Sequence, residues 1–203
     1  LRAVVPDSSH LVHMPAHIDV RLGRWADAAA ANERAIEADE RYLKTDPKIG
    51  FYALYIAHNQ HFLAYTAMME GRTAVAVEHA TKVVEGLPLE AVRASPLFLE
   101  AYLSVKLEAL KRFGSWQEIL DDPPPPADLP VMTAYSHFVK GVAFAALDNV
   151  VDADAERALL VQALPKVPKE AYWGSNSATD VLAVALPYLD GEIAYRKNKL
   201  DDA

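Results

Sequence analysis

The sequence predicts an all-α protein, and three observations lead to that prediction. Alanine-rich segments repeat apolar residues at helical spacing, as over 25–42, where one stripe holds Ala28, Ala31, Ala35 and Ile36. No segment alternates apolar and polar residues in the way that is typical of a strand. Short turns of a common shape recur between the helical segments. These turns predict helices that are joined in antiparallel pairs.

The first helical segment contains Pro15. Proline removes one backbone hydrogen bond and breaks or kinks a helix. The run from Pro6 to Ser9 supplies capping residues. A helix therefore either begins near Ser8 and bends at Pro15, or begins near Met14.

Two further helices are predicted over 25–42 and 73–85. The second is expected to bury Val77, Ala80 and Val84, which share one face at helical spacing. Near the end of the first, the adjacent acids Asp39 and Glu40 are interpreted as solvent-exposed.

Five turns share one pattern. Each holds a glycine, aspartate or asparagine where a left-handed residue would end a helix, and a small or apolar residue follows five positions later in the chain. The turn residues are Gly23, Gly71, Gly114, Asp148 and Asn198, and the residues that follow them are Ala28, Ala76, Ile119, Ala153 and Ala203.

This pattern resembles the tetratricopeptide repeat (TPR) family, most clearly in GRWADAAAANERAIEAD (23–39) and EGRTAVAVEHATKVVEGLP (70–88). The resemblance implies a right-handed α-α superhelix, a TPR-like solenoid of antiparallel helix pairs that forms a single repeat domain over 1–203. The repeats fall at about 7–43, 51–88, 96–122, 131–165 and, incomplete, 178–203, with loops at 44–50, 121–130 and 165–177. Because residues 1–6 resemble the end of an earlier helix and the last repeat is incomplete, we expect the chain to be a fragment of a longer solenoid.

Five of the seven histidines fall at related positions before the first two turns. Counting back 13, 10 and 6 residues from each turn gives His10, His13 and His17, and then His58, His61 and Tyr65. In TPR-like proteins these offsets face the concave groove. The same offsets before later turns give Ala101, Ser104 and Glu108; Tyr135, Phe138 and Val142; and Ala185, Tyr188 and Glu192.

Histidines one helical turn apart can hold a divalent cation. We therefore interpret His13, His17, His58 and His61 as candidate ligands of a transition metal, and an all-imidazole set suits zinc or copper better than magnesium or calcium. Met14 lies nearby in the sequence, which keeps copper among the candidates. The motif His-x-x-His-Met-Pro-x-His is similar to one in a bacterial TPR subgroup, and that resemblance implies a fold without naming a function.

Three functions stay open. The first is a binding module whose groove, including His10, Tyr65, Glu108 and Phe138, holds a protein, a peptide or a small ligand. The alternative is a metal-binding protein or metalloenzyme that uses the same histidines. The third is a scaffold whose histidines are buried and hydrogen-bonded.

Composition excludes other classes. A net charge of −8 argues against nucleic-acid binding, and the absence of cysteine excludes disulfides and thiolate metal sites. No apolar run approaches the length of a membrane span. No motif of the kinds that mark nucleotide or serine hydrolase sites is present, so the sequence favours a non-enzymatic role. We expect a soluble protein, either cytoplasmic or periplasmic.

Overall fold

A computed structural model describes residues 4–46 and 50–201 of the chain. It is mostly helical, which confirms the all-α class. The chain divides into two compact units, unit 1 over Leu1–Leu87 and unit 2 over Pro88–Ala203. Among the described residues, no helix is long and apolar enough to cross a membrane.

Unit 1 consists of helices joined by short turns. These are α1 (Ser9–His13), α2 (Ala16–Arg21), α3 (Trp25–Thr45), a 3₁₀ turn (Gly50–Tyr52), α4 (Ala53–Glu70) and α5 (Thr73–Glu85). The break between α1 and α2 falls at Met14 and Pro15, because proline has no N–H to continue the ladder. The first segment is thus two short helices, beginning one residue after Ser8.

Alanines let the helices of unit 1 approach closely. Ala16 of α2 packs against Ala28 and Ala31 of α3, and Phe62 of α4 covers the contact. The predicted stripe of α3 is confirmed, because all four of its apolar residues are buried. For α5, the predicted burial of Ala80 is confirmed, and that of Val77 and Val84 is wrong. Its fully buried residues are Ala76, Ala80 and Val83, and the two predicted valines are only half-buried.

Asp39 corrects another prediction. It is buried, with 2% of its surface exposed, whereas Glu40 is exposed as expected. Asp39 lies on the inner face of α3, three residues after Ile36. At helical spacing the Asp39 side chain therefore lies on the same face as the apolar stripe. Hydrogen bonds offset the free-energy cost of burying its carboxylate.

Unit 2 is built around a long buried helix. Its elements are α6 (Leu89–Ala94), α7 (Pro96–Leu99), a 3₁₀ turn (Glu100–Ser104), α8 (Val105–Phe113), α9 (Trp116–Asp121), α10 (Pro130–Ala146), α11 (Val150–Ala163), a 3₁₀ turn (Leu164–Lys166), β1 (Tyr172–Trp173), β2 (Asn176–Ser177), α12 (Ala178–Leu182) and α13 (Ala185–Arg196). The buried helix α10 packs against α9, α11 and α13. The two short strands pair as an antiparallel hairpin inside the segment predicted as a loop over 165–177.

A buried carboxylate caps α10. Glu100 Oε1 accepts a hydrogen bond from the backbone N–H of Met132 at 2.8 Å. The first N–H groups of a helix have no partner within it, so an acid from elsewhere in unit 2 satisfies one of them. Burial raises the pKa of Glu100, while the backbone hydrogen bonds oppose that rise.

The five predicted turns are confirmed. Positive φ angles occur at all five turn residues: 70° at Gly23, 74° at Gly71, 71° at Gly114, 59° at Asp148 and 57° at Asn198. The residues five positions after the first four turns are fully buried, and the fifth, Ala203, lies outside the described residues. The repeated turn therefore sets a close helix contact at each of the four positions.

Candidate functional site

Three imidazoles converge in unit 1. His13 Nε2 lies 2.9 Å from His17 Nε2 and 3.0 Å from His58 Nε2. The three ligand atoms all lie within 4.8 Å of one another. His13 ends α1, His17 follows it by one turn in α2, and His58 comes from α4. The break at Pro15 therefore falls between two of the three histidines.

Asn32 fixes the tautomer of His13. The Asn32 amide donates from Nδ2 to the Ala28 carbonyl at 2.8 Å, so its Oδ1 faces His13 Nδ1 at 2.7 Å. Nδ1 must then carry the proton, and the Nε2 of a neutral His13 presents a lone pair. A lone pair thus points at the nitrogens of the other two histidines. A hydrogen bond partner on the far nitrogen is also the usual way that a metal-ligating imidazole is oriented.

Burial keeps the cluster neutral. The pKa of His13 and of His58 is lowered from 6.5 to about 4, chiefly by burial and in part by the neighbouring histidines, although the Asn32 hydrogen bond raises that of His13. Burial also lowers the pKa of His17, which is more open to solvent than His13. Neutral imidazole is the form that binds a metal. The cluster is therefore in its ligand form at pH 7.

Aromatic rings surround the imidazoles. The Phe62 ring meets His13 edge-on at 4.8 Å and His17 at 4.7 Å between centroids. His10 stacks on His13 at 5.9 Å and contacts Tyr55 at 4.7 Å. Phe62 therefore forms an apolar wall beside two of the three imidazoles. Within the described residues, the buried Nδ1 of His10 has no hydrogen bond partner.

A buried polar network holds the helices that carry the histidines. Asp39 of α3 accepts hydrogen bonds from Asn59 Nδ2 at 2.8 Å and from the Tyr52 hydroxyl at 2.9 Å. The Tyr52 hydroxyl also bonds Ser9 Oγ at 2.6 Å. Ser9 precedes His10 in α1 and Asn59 follows His58 in α4, so the network fixes the spacing of these helices.

Sequence reasoning missed Asn32 and Asp39. Both are polar residues on the buried face of an alanine-rich helix, seven positions apart. That pattern is the signal that could have found them, because a buried polar side chain needs a partner.

Two other candidate residues of unit 1, His61 and Tyr65, lie outside the group of three histidines. His61 is half-buried on α4 and does not belong to the group of three. Tyr65 is exposed, with its ring edge-on to Trp25 at 6.0 Å. His79 of α5 is half-buried and hydrogen-bonded to Gln60, apart from the group of three.

Glu108 and Phe138, the candidate residues of unit 2, line one cavity of about 540 Å³. The offsets counted back from the turns also place Tyr135, Ala185 and Tyr188 in its wall. These five residues come from α8, α10 and α13. The counting rule therefore selects residues that share a site within unit 2.

No family model, curated protein or solved structure matches the chain.

Proposed function

We propose that unit 1 is a metal-binding module in which His13, His17 and His58 hold one divalent transition metal ion. The observation that carries this proposal is the convergence of three Nε2 atoms, with 2.9 and 3.0 Å between His13 and each of the others. A tetrahedral ion with nitrogen ligands at about 2.0–2.1 Å holds them about 3.3 Å apart. Small side-chain adjustments bring the three nitrogens to that spacing.

The ligand type favours zinc or copper. Three neutral imidazoles without a carboxylate suit zinc, copper or nickel, and not the harder magnesium and calcium ions. Three protein ligands would leave a fourth position for water, which is the arrangement of zinc sites that perform chemistry. The proposal itself is limited to binding.

Hydrogen bonding also supports a metal over an imidazole network alone. The single lone pair of His13 Nε2 faces the Nε2 atoms of both His17 and His58. It can align well with the N–H of only one of them, so hydrogen bonds alone leave the other poorly satisfied. A cation satisfies all three nitrogens at once. Asn32 would then act as the outer partner that orients His13.

Zinc titration of the chelator-stripped chain tests the proposal. Isothermal titration calorimetry and native mass spectrometry are expected to give one zinc per chain. His13→Ala and His58→Ala should each weaken zinc binding by more than about 100-fold, because two imidazoles remain of three. Asn32→Leu should weaken it about 10- to 100-fold by releasing the His13 ring.

Two histidines outside the cluster serve as controls. His137→Ala removes an imidazole that pairs with Glu156 at 2.7 Å in unit 2 and should leave zinc binding unchanged. His61→Ala tests the four-histidine set predicted from the sequence, and a small effect is expected because His61 is outside the group of three. The proposal fails if zinc, copper and nickel all fail to bind saturably, or if His137→Ala weakens zinc binding as much as His13→Ala.

We further propose that the helix pairs form a TPR-like right-handed superhelix. The five left-handed turns and the buried small residues after them support this proposal. A crystal structure of the chain tests it through the handedness of successive helix pairs. The groove that the sequence predicts for a protein, a peptide or a small ligand belongs to the same proposal.

A further inference from the structure

The cavity of unit 2 has a size that suits a small molecule. Its volume of about 540 Å³ falls within the range of ligand sites. It lies apart from the three histidines in the sequence and belongs wholly to unit 2. What it accepts depends on the rings and charges of its wall.

Aromatic rings form one side of the cavity. The buried Phe138 lies between Tyr135 at 5.8 Å and Tyr188 at 5.5 Å, measured between ring centroids. Lys111 Nζ lies 4.9 Å from the centroid of Phe138 and 5.6 Å from that of Tyr135. The rings therefore already contact an ammonium group, which their negative faces attract.

The charges of the wall favour a cation. Lys111 is its only basic residue, and its ammonium is engaged by Glu108 at 3.1 Å and the Tyr135 hydroxyl at 3.3 Å. Asp180 also lines the cavity and is exposed, and no basic side chain of the described residues lies within ion-pair distance of it. An anionic ligand would meet two carboxylates and a lysine that is already paired.

The remaining wall is apolar. Val181 and Leu182 of α12 and Ala185 of α13 also line the cavity. A ligand that fills it needs a hydrophobic body, because moving apolar surface out of water lowers the free energy. Asn176 adds an amide to the wall.

We propose that this cavity binds a small organic ammonium ion with an aromatic or aliphatic body. The ammonium pairs with Asp180, and the body lies against Phe138 and Tyr188. This site goes beyond the proposed metal binding and does not depend on it.

Three probes that share a phenylethyl group and differ in charge test the proposal on the full chain. Calorimetric titrations with phenethylamine, 2-phenylethanol and 3-phenylpropionate at pH 7 compare a cation, a neutral alcohol and an anion. The amine is expected to bind about tenfold or more tightly than the carboxylate. A difference of this size in the dissociation constant is what one well-placed charge pair contributes. A stronger preference at low salt is expected as well.

Variants separate the charge from the fold. Asp180→Asn should weaken binding of the amine about three- to tenfold and leave that of the alcohol unchanged, because only the amine carries the charge. Tyr188→Leu should weaken both. Glu170→Gln removes an exposed acid of unit 2 that does not line the cavity, and should change neither.

The proposal is wrong if the amine shows no saturable binding, or if the carboxylate binds as tightly as the amine. It is also wrong if Asp180→Asn changes binding of the amine no more than Glu170→Gln does. Thermal melting of each variant checks that the fold persists, which is expected because Asp180 and Tyr188 are exposed.

Discussion

At the scale of single residues, His13 decides the character of the histidine cluster. It is fully buried, with 0% of its surface exposed, and both of its ring nitrogens are engaged. Asn32 holds one nitrogen, and His17 and His58 face the other. Burial makes the imidazole neutral, and the amide decides which nitrogen keeps a lone pair. A buried histidine becomes a candidate ligand only through this combination.

The lowered pKa values predict that acid destabilises unit 1. The folded pKa of His13 and of His58 is about 4, below the unfolded value of 6.5. Between these pH values the unfolded chain binds more protons, so the free energy of unfolding falls as the pH drops from 7 to 5. His13 alone contributes a loss of about 2 kcal/mol over that interval.

Urea unfolding at pH 7 and pH 5, with chelator present, measures this loss. Trp25 is the only tryptophan of unit 1, so its fluorescence reports on that unit when Trp116 and Trp173 are replaced by phenylalanine. His13→Asn keeps a hydrogen bond donor for Asn32 and removes the titrating group. The free energy of unfolding of this variant should therefore fall less between pH 7 and pH 5 than that of the unchanged chain. An equal fall would rule out His13 as a source of the pH dependence.

At the scale of elements, left-handed residues end the helices before each of the five turns. The choice of residue differs, since three turns use glycine, one aspartate and one asparagine. Glycine adopts this conformation without a steric penalty, while other residues do so at some cost. The break at Pro15 differs from these turns, because it separates α1 from α2 without a left-handed residue and lies between His13 and His17.

Replacing Gly71 by alanine should destabilise the α4–α5 turn. Its φ is 74°, and a Cβ at this position would meet no atom within 4 Å. The penalty is therefore the backbone conformation alone, about 1 to 2 kcal/mol. A lower urea midpoint for unit 1, measured by Trp25 fluorescence, checks the prediction.

The opposite change at Asp148 is the matched control. Its φ is 59°, so Asp148→Gly relieves the same strain and should raise the stability of unit 2, by less than about 1 kcal/mol. The exposed ion pair with Arg196 that it removes contributes little. If both substitutions shift stability in one direction, backbone strain is not the cause.

At the scale of the whole molecule, each unit contains one candidate site. The histidine cluster joins α1, α2 and α4 of unit 1, and the cavity joins α8, α10, α12 and α13 of unit 2. Both sites use side chains from helices that are distant in the sequence. Ligands bound there should therefore stabilise different sets of helices.

Hydrogen exchange with mass spectrometry can locate each effect. Zinc is expected to slow exchange most in α1–α4, and phenethylamine most in α10–α13. For amides that exchange through opening of the site, a ligand at 100 times its dissociation constant slows exchange about 100-fold. Slowing by zinc that is strongest in α10–α13 would contradict the assignment of the metal to unit 1.

The sequence by itself determined the helical class, the five turns and a histidine-rich face. These follow from local rules, because helical spacing, left-handed turn residues and proline act on neighbours in the chain. The predictions from sequence that were wrong concern the buried face of α5 and the exposure of Asp39. In both cases a shift of one residue around the helix changes a side chain from exposed to buried. The offsets also selected Glu108, Phe138 and three further residues of the cavity wall.

Only the tertiary structure decided which histidines meet and what supports them. His58 lies 45 residues from His13, and Asn32 lies 19 residues from it. Contacts over such distances depend on how α3 and α4 pack against the broken first helix, which no local pattern specifies. The same holds for Lys111, which faces the rings of α10, and for Asp180, which lines the same cavity. The packing of the helices brings these charges together. The hydrophobic effect is non-directional, so it does not specify which helix faces meet. The shapes of the side chains select the arrangement that packs closely.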